Sequence, residues 1–203
     1  MHISKIHIEN FKSFKGSFNL ILENGTNIIV GDNEAGKSTI LEAVHLALTG
    51  LINGRYLSTE LTQYIFNYQV VEEYLFNLEN KVNCTPPQIL IEIYLEGDDL
   101  DEFLGDMNSE KSPFKGFFLK ISFDEKYKRE YEELIKIGGV KSLPIEYYNI
   151  LWSSFARDEN ITLRTIPVKS ALIDSASSKF QNGSDIYISR IIKEFLETNE
   201  IVE

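Results

Sequence analysis

Nine consecutive residues, Gly31-Asp32-Asn33-Glu34-Ala35-Gly36-Lys37-Ser38-Thr39, have the types and spacing of a phosphate cradle. They fit the pattern of a glycine, four variable residues, and Gly-Lys followed by Ser or Thr. Gly31 and Gly36 tolerate backbone angles and close approaches that a Cβ would forbid, so successive N–H groups can point into one anion-sized cavity. Lys37 supplies a compact positive charge for the β- and γ-phosphates, and Ser38 a hydroxyl for Mg²⁺. A helix opening at the end of the loop would aim its positive end at the same phosphates. The chemistry implied is binding of a nucleoside triphosphate with Mg²⁺. The competing reading is an ordinary glycine turn, which would need neither a strand before it nor a helix after it.

Hydrolysis asks for more: a carboxylate on the metal side and a group that positions water. The usual carboxylate follows four apolar residues and is often an Asp-Glu pair. Two stretches approach this pattern. Ala171-Leu172-Ile173-Asp174 has a short apolar run and is followed by Ser175. Ile93-Tyr94-Leu95-Glu96-Gly97-Asp98 alternates like a half-exposed strand and runs into an acidic stretch, which suits solvated carboxylates better than catalytic ones.

The cradle needs elements to hold it. Residues 2–9 alternate, with Ile3, Ile6 and Ile8 apolar, and a second extended stretch over 17–22 follows Gly16, which predicts paired strands. Asn24-Gly25 marks a turn, and Asn27-Ile28-Ile29-Val30 reads as a short buried strand feeding the glycine loop. From Lys37 onward, Ile40, Leu41, Val44, Leu48 and Leu51 recur at helical spacing, with Gly50 placed to stop the helix. Residues 58–81 predict one long helix or two short ones, capped at Ser58 or Thr59. After Pro86-Pro87, residues 88–96 alternate as a strand with Ile89, Ile91, Ile93 and Leu95 on one face. Residues 116–123 fit its hairpin partner, extended by 128–137 up to the turn at Gly138-Gly139. The last third returns to core-like sequence over 144–152 and 168–173, then a helix over 185–196.

Bulk properties narrow the class. With 203 residues, 43% hydrophobic and 25% charged, the chain can bury a real core, and no apolar run approaches a membrane span. The expected location is the cytoplasm. The single cysteine, Cys84, excludes an internal disulfide and a cysteine cluster for zinc, and reads as a small buried apolar side chain. A net charge of −11 argues against the segment as a whole clamping nucleic acid. Glu96, Asp98, Asp99, Asp101, Glu102 and Asp106 read as a solvated loop or short helix, with a metal site the distant alternative.

The opening Ile3-Ser4-Lys5-Ile6-His7-Ile8-Glu9-Asn10-Phe11-Lys12-Ser13-Phe14, with the asparagine-bearing loop at 31–39, resembles the start of the SMC, RecF and OLD group of ABC-type ATPases. The later stretches Ile145-Glu146-Tyr147-Tyr148, Trp152-Ser153-Ser154-Phe155, residues 166–174, Gly183-Ser184-Asp185 and residues 187–192 resemble the OLD-family ATP-dependent endonucleases. The resemblance implies an α/β P-loop NTPase of ABC-ATPase head type with an antiparallel β-rich insertion, here as an incomplete N-terminal lobe. Residues 1–55 would hold the strands, P-loop and first helix, 56–140 a helical and β-hairpin insertion, and 141–203 a return to the core with a Q-loop-like region.

In such proteins the nucleotide is ATP, held between two heads of a homo-oligomer, and a signature loop, a Walker B strand and a Toprim nuclease domain follow. None of those is recognisable in these 203 residues. By the same resemblance Lys12 is a candidate contact for nucleotide phosphate or ribose. Gln181 is a candidate ligand, with Ser38, for Mg²⁺ and the attacking water. Both have bland alternatives, a surface lysine and a turn glutamine. Lys169, Lys179 and Arg190 could add local positive potential, with ordinary surface placement the alternative. The functions left open are an ATPase segment controlling a DNA nuclease in defence against foreign DNA, a RecF- or SMC-like repair clamp, and an ATP-sensing adaptor without turnover. ATP rather than GTP rests on the resemblance, since no Asn-Lys-x-Asp guanine-reading motif is present.

Overall fold

The β-branched, alternating segments of this chain assemble into one antiparallel sheet, and the phosphate-loop helix lies on one face of it. The structure is a computed structural model that describes residues 1–159 and 161–172. Residues 1–169 form one compact unit. Strands β1 (His2–Glu9) and β2 (Ser17–Ile21) make the first hairpin; β5 (Ile89–Glu96) pairs with the other side of β1, and β7 (Phe114–Phe123) with β5. The far side of β7 is shared by β6 (Leu104–Gly105) near its start and β8 (Tyr148–Ser154) along the rest. Every one of these pairings is antiparallel. The strands on either side of the acidic stretch therefore join the N-terminal hairpin in a single sheet.

One sheet face follows directly from the alternation. Ile6 and Ile8 on β1, Ile89, Ile91 and Ile93 on β5, and Phe117, Leu119 and Ile121 on β7 are buried in one core with α1 (Lys37–Thr49). A pleated strand sends alternate side chains to the same side, so these sets stack across the pairing register. The other face is buried too: Tyr94, Phe118 and Phe155 form a small second cluster. Beside them on β5 sits Glu92, fully buried, its carboxylate accepting from the Tyr94 hydroxyl at 2.8 Å and from the Ser109 amide at 2.8 Å. The 104–113 segment is thereby fastened to the back of the sheet.

Helix α1 ends where Gly50 adopts φ 68°, its amide donating to the Leu46 carbonyl at 2.8 Å, a left-handed C-terminal stop. Its buried side is Thr39, Ile40, Ala43, Leu46, Ala47 and Leu48, whereas Leu41 faces out, so the stripe lies one position away from that expected. Leu51 leaves the helix for a two-residue strand, β3 (Leu51–Ile52), paired with β4 (Arg55–Tyr56). The Trp152 indole N–H donates to the Ala47 carbonyl at 3.0 Å and ties β8 to the end of α1.

Several expectations are corrected. Of the two readings of residues 58–81, the two short helices are the one observed, α2 (Leu57–Glu60) as a single turn and α3 (Tyr68–Glu79), with a 3₁₀ segment over Gln63–Ile65 between them, but their expected caps are not. The cap of α3 is Asn67, whose side chain accepts from the Gln69 and Val70 amides; neither Ser58 nor Thr59 caps a helix. Residues 128–137 extend no hairpin: they form α4 (Lys128–Ile137), because Tyr131, Leu134 and Ile135 recur at helical and not alternating spacing. Asn27-Ile28-Ile29-Val30 forms no strand among the described residues, and Ile28 and Val30 are 82% and 83% exposed. A strand needs a partner ladder, and none of the described strands reaches this segment. Residues 168–172 have no regular structure, and the helix expected over 185–196 lies outside the described residues.

Candidate nucleotide-binding loop

The glycine loop sits at the mouth of α1. Its helix has no side-chain cap and no acidic residue in the first turn, so the positive end of the helix faces the loop uncompensated. The Lys37 ammonium donates to the carbonyls of Gly31 at 2.7 Å and Asp32 at 2.5 Å, arching over the loop it belongs to. The Ala35 amide donates to Asp32 O at 3.3 Å, closing a turn within that arch. Residues 31–35 and Ser38 are exposed, whereas Gly36, Thr39 and Ile40 are buried.

The two glycines do different work. Gly36 has φ 89°, and a Cβ there would lie 2.9 Å from Phe14 Cζ and 3.0 Å from Ser13 Oγ, so both the angle and the space demand glycine. Gly31 adopts no positive φ, and a Cβ on it would meet the Ala35 Cβ at 3.4 Å. Its contribution is the carbonyl offered to Lys37. The second positive angle in the loop falls on Glu34, at φ 68°. A non-glycine residue held there costs on the order of 1–2 kcal/mol, and such strain recurs where backbone groups are held for a ligand.

The turn between β1 and β2 lies against this loop. Asn10 and Lys12 both take left-handed angles, φ 56° and 46°, and Phe11 between them is fully buried. The Ser13 hydroxyl donates to the Thr39 hydroxyl at 3.0 Å, and Phe14, stacked on Phe18, fills the space over Gly36. Lys12 reaches the same helix from the side, where its ammonium pairs with Glu42 on α1. The sequence singled out Lys12 and not its partner; Glu42 follows Lys37 by five residues on the helix and carries no motif signal of its own.

Residues with other expected roles fall elsewhere. Asp174, Gln181, Lys179 and Arg190 lie outside the described residues. Glu96 is exposed and lies 3.7 Å from His2, away from the loop, as solvated carboxylates should be. The acidic stretch folds as a bend and a 3₁₀ turn over Asp101–Phe103, and among the described residues no group of three or more His, Cys, Asp and Glu side chains is placed to hold a metal ion. Cys84 is half-buried beside the Tyr74 carbonyl, and burial pushes its thiol pKa up, away from reactivity. Lys169 donates to the carbonyls of Arg164 and Ile166 at 3.5 and 3.4 Å. No helix among the described residues is long and apolar enough to cross a membrane.

Comparison with known proteins bears on this geometry. A search of curated proteins returns no match. Among solved structures, one from work described as "Structural biochemistry of ATP-driven dimerization and DNA stimulated activation of SMC ATPases" is 17% identical, with a TM-score of 0.35, and the match covers 61% of this chain. The chain spans 63% of the length of that relative. A family model described as an AAA domain, AAA_23, matches residues 5–201, from the first strand through the phosphate loop and on almost to the end of the sequence. The chain therefore belongs to this AAA domain family and has an α/β P-loop ATPase fold with an antiparallel sheet, against which the helix that follows the loop is packed.

Proposed function

We propose that this chain binds ATP with Mg²⁺ through residues 31–39 and serves as the N-terminal, ABC-type head segment of an OLD-like DNA nuclease, controlling cleavage of foreign DNA. The observation that carries the nucleotide reading is the uncapped mouth of α1, with Lys37 arched over the loop and Gly36 in a conformation and a space that only glycine fits. This donor set suits a triphosphate: backbone N–H groups of the first turn, one ammonium, and no acidic side chain in that turn to repel the anion. Asp32, Asn33, Glu34 and Ala35 would line the phosphate path with their backbone, and the exposed Ser38 hydroxyl would hold Mg²⁺, which would supply charge neutralisation at the β- and γ-phosphates.

The finer reading, a nuclease regulator, rests on the likeness of the stretches 145–148, 152–155, 166–174, 183–185 and 187–192 to OLD proteins, within a chain whose opening resembles the wider SMC, RecF and OLD group. A second head would complete the nucleotide site, and DNA would be engaged by the assembled protein, not through the bulk charge of this segment, which is −11. Titration with a fluorescent ATP analogue and Mg²⁺ tests the first half. Saturable binding that weakens about tenfold or more in Lys37→Ala is expected, whereas equal binding by the variant would remove the loop from the reading. For the second half, DNA cleavage by the longer protein should depend on Mg²⁺-ATP and fail in Lys37→Ala. Cleavage indifferent to both would overturn nuclease control.

A further inference from the structure

The last glycine of the loop is not held by the loop itself. It rests on the turn over residues 10–16, whose Ser13 and Phe14 side chains occupy the space a Cβ on Gly36 would need, and whose Ser13 bonds Thr39 in the first turn of the helix. That turn is an improbable conformation in isolation: Asn10, Lys12 and Gly16 all have positive φ. It persists because it is tied on several sides. Asn10 accepts from the Gly16 amide at 2.9 Å and donates to the Gln88 carbonyl at 3.0 Å. The Lys12 amide donates to Ile65 O at 3.0 Å, and the Asn67 amide to Asn10 O at 2.8 Å.

Asn67 is the knot. It is 2% exposed, and its side-chain amide donates to Lys12 O at 2.8 Å while its carbonyl caps α3. A buried side chain with every polar atom engaged has one orientation available to it, so the Lys12 carbonyl, and with it Ser13, is fixed from outside the loop.

We propose that residues 10–16 are a positioning strut for the phosphate loop, with Ser13 as its contact and Asn67 as its anchor, both acting through Gly36 and Thr39 and neither touching nucleotide. Its functional consequence rests on the nucleotide reading above; its mechanical content does not. Without the strut, the amides at the mouth of α1 sample more positions and bind an anion less well, because the cost of ordering them falls due on binding.

The test uses the 203-residue chain and its variants Ser13→Ala, Ser13→Thr and Asn67→Asp, measured by hydrogen exchange without nucleotide and by titration with the fluorescent ATP analogue and Mg²⁺. Ser13→Ala should speed exchange of the amides of residues 36–40 about fivefold and weaken the analogue about fivefold, with exchange in β5 and β7 unchanged. Ser13→Thr, which keeps the hydroxyl, should return both to within about twofold of the parent. Asn67→Asp keeps the cap on α3 and loses the donor to Lys12 O, so it should show the same pattern as Ser13→Ala; if it does not fold, the Ser13 pair decides alone. Unchanged exchange at residues 36–40 in Ser13→Ala overturns the strut. A parent chain that binds no analogue overturns the nucleotide reading instead, and the exchange comparison still decides the strut.

Discussion

Ile91 and Ile28 are the same residue in opposite circumstances. Ile91 sits mid-strand on β5 with partners on both sides and no exposed surface; Ile28, just before the phosphate loop, is 82% exposed. The sheet finishes itself within these residues: each strand finds its ladder, and even the buried Glu92 has two donors. The phosphate-loop side is open, with residues 31–35 and the apolar Ile28 and Val30 exposed and Gly36 packed under the neighbouring turn. Stability and ligand binding are thus housed in different places, so a perturbation of one should leave the other measurable.

The sheet and its flanks should fail together at high pH. Burial pushes the phenols of Tyr74, Tyr94, Tyr131 and Tyr148 above their ordinary value, with the bond to Glu92 adding to the shift at Tyr94 and the bond to Tyr131 adding at Tyr74. A raised folded pKa stabilises fully below the unfolded value, about 10, and that stabilisation disappears as pH climbs toward the folded values. Circular dichroism and phenolate absorbance followed together above pH 10 should show the late part of the tyrosine ionisation coinciding with loss of structure. Full ionisation in a chain that keeps its native spectrum would show that these phenols are not sealed.

Next in size is the pair of isoleucines. Ile91→Ala removes a side chain closed in on all sides and should cost about 2–5 kcal/mol in urea unfolding. Ile28→Ala should stay within about 0.5 kcal/mol. Similar losses from both would mean that the loop side is as well packed as the sheet, and the contrast drawn above would collapse.

Gly36→Ala crosses the boundary between the regions. The left-handed angle costs about 1–2 kcal/mol for any L residue, and the added methyl would press on Phe14 and Ser13. A loss of about 2 kcal/mol in stability should accompany disappearance of the thermal shift produced by Mg²⁺-ATP. A stable variant with an intact shift would mean that Gly36 yields easily and that the loop is not braced by its neighbours.

How far the sequence foretold this follows the same division. Alternation placed β1, β5 and β7 almost to the residue, because a strand buried on at least one face must write its period into the chain. The loop and α1 were legible from glycine spacing and helical recurrence. Asn67 was not, since a lone asparagine carries no sign that its oxygen will cap a helix while its amide nitrogen meets a turn some 55 positions away. Nor was Glu42, whose pairing with Lys12 depends on a tertiary approach. The exposed 27–30 segment carries a strand's apolar signal without forming one, because an apolar run announces burial without saying against what. Residues 128–137 form a helix and not a third strand because the helical spacing of Tyr131, Leu134 and Ile135 outweighs their nearness to a hairpin.

The smallest effect is the most discriminating about the boundary. Lys12 and Glu42, each about one-third exposed or less, form an ion pair between the turn and the loop helix. At such exposure a double-mutant cycle of Lys12→Met and Glu42→Gln should give a coupling of less than about 1 kcal/mol in unfolding. The nucleotide readout should separate the two residues by sign. Removing Glu42's charge frees the ammonium and takes a negative charge from the helix that carries the loop, so Glu42→Gln should bind the ATP analogue slightly more tightly. Lys12→Met removes the cation altogether and should bind it more weakly. If both variants weaken binding equally, the pair acts as a brace and Lys12 contributes position rather than charge, which would move it from the ligand side of the molecule to the side of Ser13 and Asn67.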